Sequence, residues 1–135
     1  KKSGADTIEV KKLFNSDIKD FITKAEIIQN AKVINNNICL AYTKTETDNI
    51  NIVIAQAADE LLNIKEVEAS FVLARKDDRV FISARSLGNI NVHVLMENLG
   101  GGGHRDMAGA QLDTSLEKAY EMVKDTIQTC IKEEE

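Results

Sequence analysis

The chain has no proline, two cysteines and two histidines among its 135 residues. Cys39 and Cys130 lie far apart and no CxxC occurs, so the expected state is two buried thiols in a reducing compartment rather than a disulfide. With only His93 and His104 beside them, no structural zinc pattern is present. No apolar run approaches the ~20 residues a membrane helix needs, and no signal-peptide pattern opens the chain. Positive charge is also in deficit: 17 Lys and Arg stand against 22 Asp and Glu, a net charge of −5. Gripping a long nucleic acid requires neutralising many phosphates, and this balance argues against it. A small anionic ligand held by a few local groups is compatible with it. Glycine is scarce too, yet five of the seven fall between Gly100 and Gly109.

What is present describes an ordinary globular domain, 43% hydrophobic and 29% charged. A chain of this length removes roughly two-thirds of its unfolded surface from water and folds without a staple. Its opening, "KKSGADTIEV", starts without a methionine and reads as a cut inside a longer protein. Apolar residues at helical spacing (Ile8, Leu13, Ile18, Phe21, Ile22, Ala25, Ile28) predict two helices before residue 30, the second capped by Asn15 or Ser16. "AKVINNNICLAYT" predicts two strands around an asparagine turn. Asp48 to Leu62 carries one apolar stripe and predicts a helix.

"VEASFVLAR" and "RVFISARS" predict strands joined at Lys76-Asp77-Asp78, the first apolar enough to be buried on both faces. A helix is expected from Asn89 or Ile90 to Leu99, ended by Gly100 in a left-handed conformation. "AGAQLD" predicts a strand. Thr114 and Glu117 form a capping-box pattern ahead of the last helix. The alternation predicts a single α/β domain, a mixed sheet of about five strands covered by helices.

Four consecutive glycines, Gly100 to Gly103, then His104, are the unusual feature. Each glycine costs roughly 0.5–1 kcal/mol relative to alanine in regular structure. One suffices to end a helix, so the others want a second reason. Without Cβ atoms a ligand approaches the backbone amides closely, and successive amides make a concavity for anions. Histidine adds a donor, and Arg105 a permanent charge. The run is neither GxGxxG nor a P-loop, since it trails a helix and no Lys-Ser/Thr pair follows.

"SARS", residues 83 to 86, is the second candidate. Ser83 and Arg85 are expected on one strand face, about 6.6 Å apart, with Arg85 able to fork onto a phosphate. His93 reads as a surface histidine in mid-helix, and Asp106 receives no catalytic role. No Asp and His cluster has two-metal spacing, and no nucleophile has a base beside it. The residues alone lead as far as an anion-binding α/β domain that is part of something larger.

"GGGGH" and "AGAQL", with "ISARSLGNINVHVLMENL" upstream and "GADTIEVKKLF" at the start, resemble the C-terminal DHH-associated domain of the DHH phosphoesterase superfamily. The nearest pattern is that of the GdpP (YybT) type of cyclic-di-AMP phosphodiesterase, and the likeness covers nearly the whole chain. It implies residues 1–30 as a helical lead-in from a missing DHH catalytic domain and 31–135 as the substrate-binding domain.

The resemblance further implies a membrane-anchored hydrolase working on the cytoplasmic side, opening cyclic di-AMP to pApA with two manganese ions in the DHH domain. This chain would hold no metal and no catalytic residue, would be inactive by itself, and would make no direct membrane contact. Its matching substrate-binding positions are Gly101, Gly102, Gly103 and His104, with Arg85 and Ser86 in "SARS". Implied partners are a cyclic dinucleotide or short phosphorylated nucleotide, the DHH domain of the same chain and a second copy.

Three rival readings share the glycine pattern. They are a DHH oligoribonuclease acting on very short RNAs, the C-terminal domain of an alanyl-tRNA synthetase, and a non-catalytic dimerisation or regulatory module.

Overall fold

The computed structural model describes residues 18–134. The expected first helix, with Ile8 and Leu13, and the Asn15 or Ser16 cap lie outside the described residues. Helix α1 occupies residues 18–29. Strand β1 (Lys32–Ile34) turns through Asn35 and Asn36, both at positive φ, into β2 (Ile38–Thr43). Asparagine tolerates that left-handed region better than most residues. Helix α2 (Ile50–Leu61) crosses to β3 (Ala69–Lys76), which runs parallel to β2. β3 and β4 (Arg79–Ser86) form a hairpin with Asp77 and Asp78 at φ of 54° and 64°, the turn hand that matches strand twist. Then follow α3 (Val92–Glu97), β5 (Gly102–His104), β6 (Met107–Leu112) and α4 (Leu116–Glu134).

The sheet has six strands in the order β1-β2-β3-β4-β6-β5. The strand beyond the expected five or so is β5, made from the glycine segment itself. Nothing in "GGH" favours a strand locally; pairing with β6 holds it extended. Helix α3 is also shorter than expected. The Asn91 carboxamide oxygen accepts from the amides of His93 and Val94, so the helix starts only at Val92. At α4 the cap lies one residue beyond Thr114: Ser115 Oγ accepts from Lys118 N at 3.1 Å.

Helices cover both faces. Ile38, Leu40, Phe71, Leu73, Val80, Ile82 and Ala84 meet Leu95 and Met96 of α3 and Ala119, Val123 and Ile127 of α4. Cys39, Ala41, Val72 and Ala74 meet the apolar stripe of α2 and Ile27 of α1. Each large side chain in these layers contributes roughly 1.5–3 kcal/mol by leaving water. β3 is buried at every position from Ala69 to Ala74 because it lies between the two layers.

In α1 the inward face is Thr23 and Ile27, while Phe21 is 65% exposed, so the apolar positions 18, 21 and 22 point away from the sheet. Cys39 is buried and Cys130 partly buried, both free, in layers on opposite sides of the sheet.

Candidate functional site

In β4 the even positions enter the α3–α4 layer and the odd positions face α2. Residues directly opposite in an antiparallel pair share a face, so the register extends this odd face across three strands. One row reads Arg85, Met107, His104 and the next Ser83, Gly109, Gly102; Phe81 and Gln111 form a third. Adjacent strands stand about 4.8 Å apart. The middle row carries nothing larger than a serine side chain. A bare strip of backbone therefore runs between a row bearing Arg85 and His104 and a row bearing Phe81 and Gln111.

Helix α2 packs on β3 and β4. Beside it a cleft of about 520 Å³ opens, lined by Asn51 and Ile54 of α2, Phe81 and Ser83 of β4, Gly109 and Gln111 of β6, and Gly100 and Gly101. β5 is the edge strand, so one side of its backbone has no strand partner among the described residues.

The four glycines divide by what the fold asks of them. Gly100 has φ of +85°, and Gly101 N donates to Met96 O at 2.8 Å, closing α3 as expected. A Cβ on Gly101 would stand 2.1 Å from Gly109 O, and one on Gly103 would stand 2.4 Å from Ala108 Cα. Those two are glycine because β6 passes too close. A Cβ on Gly102 would meet nothing within 4 Å. Gly102 is the glycine that neither packing nor a positive φ explains.

Arg85 lies on the same face as Gly102 and His104 and is tied down. Its Nε donates to Asp59 Oδ1 of α2 at 3.0 Å and its Nη1 to Ala84 O at 3.0 Å, leaving the side chain 13% exposed. His104 is exposed at the end of β5. Ser86 lies on the other face: it is buried and its Oγ accepts from Gly88 N at 2.9 Å, shaping the turn after β4.

Arg105 serves the scaffold. Its Nε donates to Gly88 O at 2.8 Å, and its own carbonyl accepts from Val92 N, tying the β5–β6 turn to the segment before α3. The carbonyl of Asp106 accepts from Ser86 N at 3.0 Å. His93 is half-buried on α3, with Nε2 3.4 Å from Glu97 Oε2. Gly109 and Asp59 border this face without having been singled out in the sequence, and Ser83 entered only as part of "SARS". Period-two alternation placed Ser83 beside Arg85, whereas nothing local ties Asp59 to a strand 26 residues on.

Among the described residues no group of three or more His, Cys, Asp or Glu is arranged to hold a metal ion. The donor set for the implied manganese is therefore not found among them. No described helix is long and apolar enough to cross a membrane.

Against known proteins, the model of the DHHA1 domain matches residues 35–133. The chain belongs to the DHHA1 domain family. It is 43% identical over 92% of its length to the cyclic-di-AMP phosphodiesterase GdpP of Bacillus subtilis, of which it spans 19%. It is 39% identical over 86% of its length to the cyclic-di-AMP phosphodiesterase PdeA of Listeria monocytogenes, spanning 18% of that protein. The chain thus covers about a fifth of the relatives it matches.

Among solved structures, an exopolyphosphatase-related protein from Bacteroides fragilis superposes with a TM-score of 0.72 at 22% identity, over 82% of this DHHA1 chain and 34% of the other. That likeness speaks for the fold. The family resemblance read from "GGGGH" and "SARS" holds, and the domain is of a kind associated with phosphodiesterases.

Proposed function

We propose that this DHHA1 domain is the substrate-holding part of a longer, metal-dependent phosphodiesterase that hydrolyses cyclic di-AMP to pApA. A substrate phosphate approaches over Gly102, where no side chain stands in its way, and meets the unpaired edge of β5, with His104 and Arg85 flanking it. One observation carries the reading: Gly102 lacks a side chain where the fold has room for one, in a strip bordered by a cation and an imidazole. The names of its relatives supply the substrate class.

Hydrolysis adds water oxygen to phosphorus, breaks one P–O3′ bond and leaves a 3′-hydroxyl that takes a proton. A phosphate held by fixed donors is oriented for that attack, and charge gathering on its oxygens is stabilised. In this reading the manganese ions belong to a separate DHH domain of the same polypeptide. This domain by itself is inactive, and a membrane anchor elsewhere in the polypeptide keeps it on the cytoplasmic side. Gly101 and Gly103 support the site by letting β5 approach β6, and Ser86 supports it by shaping the turn behind Arg85. A second copy of the chain is the remaining proposed partner.

The test is calorimetric titration of the full-length protein with pApA and cyclic di-AMP, alongside Gly102→Val. Saturable binding that valine weakens at least about tenfold, with unfolding unchanged, is the expected result. Equal binding by both proteins would remove the glycine strip from the site. Preference for linear pApA as substrate over the cyclic dinucleotide would favour the oligoribonuclease reading.

A further inference from the structure

The arginine flanking the strip already has a carboxylate on it. Asp59 stands 61% exposed on α2 and accepts from Arg85 Nε, while Arg85 is largely covered. The contact is 3.0 Å long and uses Nε alone; Nη1 reaches its neighbour's carbonyl, Ala84 O. Two of the three guanidinium nitrogens are thereby fixed from the helix side and the strand side. Nη2 has no hydrogen-bond partner among the described residues, and one Nη1 hydrogen is spare. Both Nη atoms thus keep hydrogens to donate, and two such donors can fork onto two phosphate oxygens.

An arginine free to rotate loses much of its rotamer freedom when it binds, and prior anchoring reduces that loss. We propose that Asp59 is a positioning residue, holding the Arg85 guanidinium on the glycine face so that its Nη atoms are presented to a substrate phosphate. This rests on the phosphate-holding reading above. It adds a residue from α2 to a site otherwise built from β4, β5 and β6. The role is geometric: Asp59 works through an oxygen acceptor at Nε, and its negative charge is the incidental part.

The experiment is steady-state kinetics of the full-length protein on cyclic di-AMP with Arg85→Ala, Asp59→Ala, Asp59→Asn and the Arg85→Ala/Asp59→Ala pair, with thermal unfolding measured for each. Asp59→Ala is expected to raise KM about tenfold while kcat stays within about twofold. Asp59→Asn, which keeps an oxygen at Nε, should return KM to within about threefold of wild type. In the Arg85→Ala background, removing Asp59 should add nothing.

If Arg85→Ala raises KM and Asp59→Ala does not, the positioning role is wrong while the phosphate site stands. A fall in KM on removing Asp59 would mean that the carboxylate competes with substrate, and overturns the proposal. So would an asparagine variant as impaired as the alanine one. Wild-type kinetics in Arg85→Ala would sink the phosphate reading at this residue and the positioning role with it.

Discussion

Gly103 lies across from Ala108 with so little clearance that a Cβ on the glycine would stand 2.4 Å from the Ala108 Cα. Its φ of +144° compounds the demand. One residue earlier the same strand has open space. Gly103→Ala should therefore destabilise the domain by about 1–3 kcal/mol through overpacking and backbone strain. Gly102→Ala should stay within about 0.5 kcal/mol of wild type. Denaturant unfolding of the two variants checks this, and equal losses would mean that both glycines are structural.

His104 is exposed at the end of β5, so its removal should be read in turnover rather than in stability. In the full-length protein, His104→Ala is expected to lower kcat/KM on cyclic di-AMP by about 10–100-fold, with metal content unchanged. Elemental analysis run beside the kinetics separates loss of substrate contact from loss of metal. Unaltered turnover would take His104 out of the site.

Helix α1 offers a contrast between two apolar residues six positions apart. Ile27 is wholly buried against the α2 layer, and Ile27→Ala should cost about 2–5 kcal/mol. Phe21, 65% exposed, should cost no more than about 0.5 kcal/mol on change to alanine. Unfolding by urea, with the slope compared between variants, measures both. A large loss at Phe21 would mean that this face is covered in solution.

Burial pushes the Cys39 thiol up from its ordinary 9.0. The Tyr120 phenol is raised from 10.0 by burial first, then by Tyr42 and Glu121. For both groups the folded chain keeps its proton where the unfolded chain has lost it. Stability is therefore fully present below those ordinary values and falls as pH rises through and beyond them. Tyr120→Phe should flatten the alkaline limb of a stability-against-pH curve above pH 10.0. In the native state a thiol reagent should modify the partly buried Cys130 well before Cys39. Equal labelling rates would contradict the burial of Cys39.

Much of this was legible in the chain itself. The β4 boundaries, the burial of β3 and the left-handed stop at Gly100 follow from period-two patterning, an unbroken apolar run and a glycine after a helical stripe. Those signals are local, and local physics carries them. The cap of α4 slipped by one residue because Thr114 and Ser115 are both competent caps. The inward face of α1 is not legible in the chain: Phe21 and Ile22 are apolar yet exposed, and only the sheet shows that Thr23 and Ile27 face it.

The sequence by itself determined the α/β class and the family and singled out the glycine segment as a candidate, since composition, periodicity and "GGGGH" are properties of contiguous residues. Tertiary structure alone decided how the glycine run divides. Whether a missing Cβ faces Ala108 or empty space depends on β6, and β6 reaches β5 only through the register of the sheet. It alone decided that Gly109 and Gly102 join Ser83 in one row across three strands. It also set Asp59 on Arg85, because a crossover helix laid over a sheet brings together residues that no spacing in the chain relates.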